Sequence, residues 1–88
     1  MQQQIRSFIL TSFLFTDDPS KLNNSDSLLE QGIMDSTGVL ELVAFLESEF
    51  GLKIADEELV PDNLDSVDRI VAFVGRKQPA QARAAAAV

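Results

Sequence analysis

The chain contains neither cysteine nor histidine. That removes thiolate nucleophiles, disulfides, zinc sites built on these residues, and the common Ser-His and Cys-His catalytic pairs. Chemistry has to come from hydroxyls, from carboxylates, or from a group that is added. One hydroxyl is distinguished by its setting. In Gly32-Ile33-Met34-Asp35-Ser36-Thr37-Gly38 a turn glycine leads to an Asp-Ser pair, and the apolar-periodic run from Val39 to Phe50 follows at once. Ser36 therefore sits at a helix start, where backbone amides are unpaired and the dipole favours an anion. This predicts Ser36 as a modification site bearing a phosphate-linked group. The competing reading is that serine, a preferred N-cap, only caps the helix.

The carboxylates offer no comparable chemistry. No pair of them has a reason in the sequence to face a pocket, so an autonomous acid–base enzyme is not expected and no catalytic residue is assigned. Asp62-Asn63-Leu64-Asp65-Ser66-Val67-Asp68 lacks the alternating ligands, central glycine and terminal glutamate of an EF-hand, so no metal site is expected either. With 14 acidic against 7 basic residues, the formal net charge is −7. Such a surface repels nucleic acid and anionic membrane and attracts basic protein patches. No apolar run approaches a membrane span, and Met1-Gln2-Gln3-Gln4-Ile5-Arg6 lacks the succession of a signal peptide. The expectation is a cytoplasmic monomer with no nucleic-acid partner and no membrane span.

Four elements must position Ser36. Residues 2 to about 15 read as a first helix, with Ile5, Phe8, Ile9 and Phe13 at helical spacing and Leu10, Leu14 and Phe15 widening the buried stripe. Asp17-Asp18-Pro19 ends it. A long connection over 16–35 follows. Its apolar pairs Leu28-Leu29 and Ile33-Met34 imply packing over the core, with a helical turn around Ser27 to Gln31. The second helix spans Ser36 to Phe50 and stops at Gly51. Val39, Leu42, Val43, Leu46 and Phe50 share one side of it, while Ser36, Leu40, Ala44 and Glu47 form a neighbouring stripe with Glu41 beyond. Exposed apolar residues below a reactive position, rimmed by carboxylates, have the character of a docking patch. A short helical turn is expected on one side of Pro61. A last helix is expected from Asp65 as N-cap to stop signals at Gly75, Arg76-Lys77 and Pro79. The domain thus covers residues 1–77, and 78–88 form a flexible alanine-rich tail.

Gly32-Ile33-Met34-Asp35-Ser36, with Val39-Leu40-Glu41-Leu42-Val43-Ala44-Phe45-Leu46-Glu47 and Glu49-Phe50-Gly51, resembles the acyl carrier protein family. Ile54-Ala55-Asp56-Glu57-Glu58-Leu59 and Asn63-Leu64-Asp65-Ser66-Val67 extend the resemblance to roughly residues 3–76. The family implies an all-α four-helix bundle with a long first loop and a short third helix. It implies 4′-phosphopantetheine on Ser36, derived from coenzyme A and attached by a phosphopantetheinyl transferase that recognises Asp35. The arm's thiol would carry acyl groups between enzymes of fatty-acid, polyketide or related lipid biosynthesis. The alternative within the family is an aminoacyl or peptidyl carrier served by a dedicated ligase; outside it, an unmodified acidic helical adaptor.

The resemblance also makes Glu41, Glu47 and Glu49 the acidic second-helix face that partners engage with basic patches; with Leu40 and Ala44 of the stripe, and Thr37 at its border, Glu41 and Glu47 form the expected docking surface for synthases or ligases. The chain departs from the common pattern at Thr37, where the family usually has leucine or another apolar residue, and at Gly38, a poor helix former. These departures point to a specialised, stand-alone carrier.

Overall fold

The computed structural model describes the backbone of residues 1–86 and the side chains of residues 1–78. Among the described residues there are four α-helices and no strand: α1 (Gln2–Ser12), α2 (Ser36–Phe50), α3 (Pro61–Leu64) and α4 (Val67–Ala86). This is the expected helical bundle, with its long first connection and short third helix. The core takes Ile5, Ile9 and Leu10 from α1, Leu42 and Leu46 from α2, Leu64 from α3, and Val67, Ile70, Phe73 and Val74 from α4. Leu22, Leu28, Met34 and Leu52 close it from the connections. Each fully buried aliphatic side chain is worth about 1.5–3 kcal/mol against exposure. Phe8 of α1 stacks on Phe45 of α2 at 4.2 Å between ring centroids.

The first helix is shorter than its apolar pattern predicts. It ends at Ser12. The amides of Leu14 and Thr16 then reach back to the carbonyls of Ile9 and Leu10 in widened turns. Phe15 takes a left-handed conformation, φ 54°, which costs a side-chain-bearing residue roughly 1–2 kcal/mol. It does not widen the buried stripe; 86% of it is exposed. Both sides of Pro61 are helical. A 3-10 turn at Asp56–Glu58 precedes α3, which Pro61 opens from the N1 position that suits it.

The last helix differs from expectation at both ends. Ser66, not Asp65, caps it: its hydroxyl accepts the Arg69 amide at 3.1 Å. Nor does the helix stop at Gly75–Lys77; it continues to Ala86. Arg76 and Lys77 are tertiary ties, not terminators, donating to Asn63 at 3.1 Å and to Glu58 at 2.8 Å. Pro79 forfeits one backbone bond, to the Gly75 carbonyl, and the alanines beyond it are the strongest helix formers. The helix therefore crosses the boundary expected at residue 77; residues 87 and 88 of the expected tail lie outside the described residues.

Candidate functional site

The approach to Ser36 is fixed by a chain of hydrogen bonds that starts far away in sequence. The Asp65 carboxylate, between α3 and α4, accepts the Ser27 hydroxyl at 2.5 Å and the Leu29 amide at 2.9 Å. Its backbone carbonyl accepts the Leu28 amide at 2.8 Å. Leu28 is fully buried, and its carbonyl in turn accepts the amides of Ile33 and Met34 at 2.9 and 3.1 Å. One helical turn, closed by the Gln31 amide on Ser27, lies between them, and Gly32 at φ 68° reverses the chain. Asn24 anchors the earlier part of the connection. Its carbonyl accepts the Asp68 amide of α4 and its side chain the Arg6 guanidinium of α1.

At the end of this path Asp35, not Ser36, is the N-cap of α2. Its Oδ1 accepts the Gly38 amide at 2.8 Å. Ser36 is the first helical residue; it is exposed, and its hydroxyl makes no hydrogen bond among the described residues. The bland reading of Ser36 as a capping serine therefore fails on geometry. The amides of Ser36 and Thr37 head the helix without intrahelical acceptors. An accessible, uncommitted hydroxyl beside two such donors fits an anionic phosphodiester.

Gly38 is explained by packing. A Cβ there would come within 3.1 Å of Met34 Cγ, 3.3 Å of the Phe13 ring and 3.4 Å of Asp35 Oδ1. Glycine lets the end of α1 and the Ile33–Met34 turn close against the first turn of α2.

The expected docking residues divide. Thr37, Leu40, Glu41 and Ala44 lie exposed along α2 below Ser36, Leu40 at 62%. Glu47 is half-buried and engaged within the fold, where its carboxylate accepts the Ile54 amide at 3.0 Å and ties the chain after Gly51 back to α2. Sequence reasoning missed Asp65 as a positioning residue, because its partners are 36 and 38 residues away. No group of three metal-ligating side chains is found among the described residues. None of their helices is long and apolar enough to cross a membrane.

Comparison with known proteins gives the family. A family profile described as a phosphopantetheine attachment site matches residues 13–74. Similar proteins include the D-alanyl carrier proteins of Streptococcus pyogenes serotypes M5, M49 and M1, each 37% identical over 67 residues. The matched segment is 76% of this chain and 84% of each relative. The chain therefore belongs to the family of phosphopantetheine-binding carrier proteins, which hold 4′-phosphopantetheine covalently and are not themselves catalysts.

Proposed function

We propose that Ser36 is the attachment residue and that the protein is a carrier of aminoacyl thioesters. The observation behind Ser36 is its free, exposed hydroxyl at the first position of α2, with capping delegated to Asp35. In the attachment the Ser36 oxygen would bond to the phosphorus that carries the pantetheine arm of coenzyme A, that phosphorus would release its pyrophosphate oxygen so that adenosine 3′,5′-bisphosphate departs, and the hydroxyl proton would pass to a base of the transferase. Asp35 has a double part. One carboxylate oxygen holds the Gly38 amide, and the other is available to the transferase. Once attached, the phosphodiester would be held by the amides of Ser36 and Thr37, and the arm would supply the thiol that the chain lacks.

The cargo reading rests on the relatives, named as carriers of a D-alanyl group, and on the size of the apolar cleft below the site. That cleft, lined by Leu29, Met34, Val39, Leu59, Val60 and Leu64, holds about 50 Å³. At roughly 10–15 Å³ of such space per water, it holds a few waters and is too small to enclose a long hydrocarbon. A small aminoacyl group needs no such enclosure. Fatty-acid or polyketide cargo, the first expectation from sequence, has no comparable support. The partners are then a phosphopantetheinyl transferase and an aminoacyl-loading ligase, each meeting the exposed face of α2 with basic residues.

Mass spectrometry after incubation with coenzyme A and a broad-specificity transferase tests the attachment. Wild type gains the arm and Ser36→Ala does not; no gain, or gain by the variant, overturns the assignment. Protein isolated from its native cell should carry an aminoacyl thioester, and a long-chain acyl group there overturns the cargo reading.

A further inference from the structure

A groove of about 260 Å³ opens beside Ser36, between the end of α1 and the first turns of α2. Phe13, Phe15 and Ile33 give it apolar walls; Thr37 contributes a hydroxyl, and Asp35 and Glu41 contribute carboxylates. Phe15 is the unusual member. It is 86% exposed and held at φ 54°, a backbone that asparagine or glycine adopts more readily than phenylalanine. The Glu41 carboxylate and the second oxygen of Asp35 make no hydrogen bond or ion pair among the described residues. An exposed ring face beside open carboxylates is a receptor for a cation on an apolar stem, the chemistry of an arginine or lysine side chain.

The position of the groove identifies who brings that cation. Both chain neighbours of Ser36, Asp35 and Thr37, are groove walls. An enzyme that bonds a group to the Ser36 oxygen must lie against them. An enzyme that works on the thiol at the far end of the arm need not. The surrounding charge favours a basic visitor: from Ser12 to Glu41 there are six acidic residues and one basic residue, Lys21. We infer that the groove receives an arginine or lysine of the phosphopantetheinyl transferase, and that Phe15 is a contact residue for that enzyme. The docking surface then reaches past α2 onto the end of α1. This rests on Ser36 being the attachment residue.

Steady-state phosphopantetheinylation of wild type, Phe15→Asn and Phe15→Leu by a broad-specificity transferase is the test, read by intact mass. Asparagine keeps the left-handed backbone and removes the ring; leucine keeps apolar volume and removes the π face. KM for the carrier should rise about five- to thirtyfold in Phe15→Asn, as when an aromatic anchor is lost, and less in Phe15→Leu. The kcat should stay at the wild-type value and circular dichroism should be unchanged. Should Phe15→Asn fail to fold, Phe15→Leu carries the comparison. Wild-type KM in the folded variants overturns the inference. So does a shift of the Phe15 ring resonances on conversion to the holo form without transferase present, which would give the groove to the arm. Failure of wild type to gain any mass would instead overturn the assignment of Ser36.

Discussion

Replacing Asp65 should release the first connection from the bundle, and the two obvious substitutions should do so unequally. The carboxylate accepts the Ser27 hydroxyl and the Leu29 amide. Hydrogen bonds to such a group contribute about 1.5–3 kcal/mol each. Asp65 is half-buried, so the low end applies, and Asp65→Ala should cost about 2–3 kcal/mol. For a chain of this size total stability is about 4–13 kcal/mol, and the melting temperature should fall by roughly 8–24 °C. Asp65→Asn should cost only about 1 kcal/mol. Its amide oxygen can still accept the Leu29 amide. Its NH2 can donate to the Ser27 hydroxyl, which already accepts the Glu30 amide at 3.2 Å and has a second lone pair. Urea unfolding followed by circular dichroism gives the energies. Amide exchange shows the route: in Asp65→Ala, protection should fall at Leu29 and then at Ile33 and Met34, which hang from the Leu28 carbonyl. A loss under 0.5 kcal/mol in Asp65→Ala, or equal losses in both variants, refutes the reasoning.

Three further outcomes follow from the same structure. Glu47→Ala should destabilise by about 1–2 kcal/mol, because it strips the Ile54 amide of its acceptor. Leu40→Arg, at an exposed position, should leave urea stability within 0.5 kcal/mol and weaken transferase turnover; unchanged turnover removes Leu40 from the docking face. Glu58 is held below its ordinary pKa of 4.5, first by the hydrogen bond from Lys77 and then by the Ala55 amide. A carboxylate depressed in the fold stabilises above pH 4.5 and loses that contribution as pH falls through the folded value. Glu58→Gln should therefore flatten the acid limb of stability below that pH, measured as urea midpoints from pH 7 to 3, and identical limbs would refute it.

What was legible in the sequence was what repeats locally. The second helix is written in full, from Asp35-Ser36 through a 3.6-residue pattern to Gly51, which sits at φ 65° as a left-handed stop should. The serine proposed for attachment is placed by the same local pattern, at the first position of α2. Features set by distant partners were not. Phe15 continues an apolar stripe on paper, yet the chain has already left the helix and turned it to solvent. Gly38 reads as a weak point in a helix until Phe13 and Met34 are seen to close upon it. Asp65 has the sequence signature of an N-cap, but the neighbouring Ser66 takes that place and frees it to hold the first connection. Arg76, Lys77 and Pro79 form a textual stop signal, and it is overridden because the two basic residues bond to Asn63 and Glu58 while alanines prolong the helix.

The division of labour between Asp35 and Ser36 has a thermodynamic consequence. A Ser36 hydroxyl that makes no hydrogen bond among the described residues forfeits none if it is esterified as proposed. Folding and modification are then nearly uncoupled, and the small remaining linkage is favourable, since negative charge at the start of a helix contributes about 0.3–1 kcal/mol. The unmodified polypeptide is thus a finished structure, able to wait in reserve until the prosthetic group becomes available. With Ser36 as the proposed attachment residue, attachment then does not compete with folding.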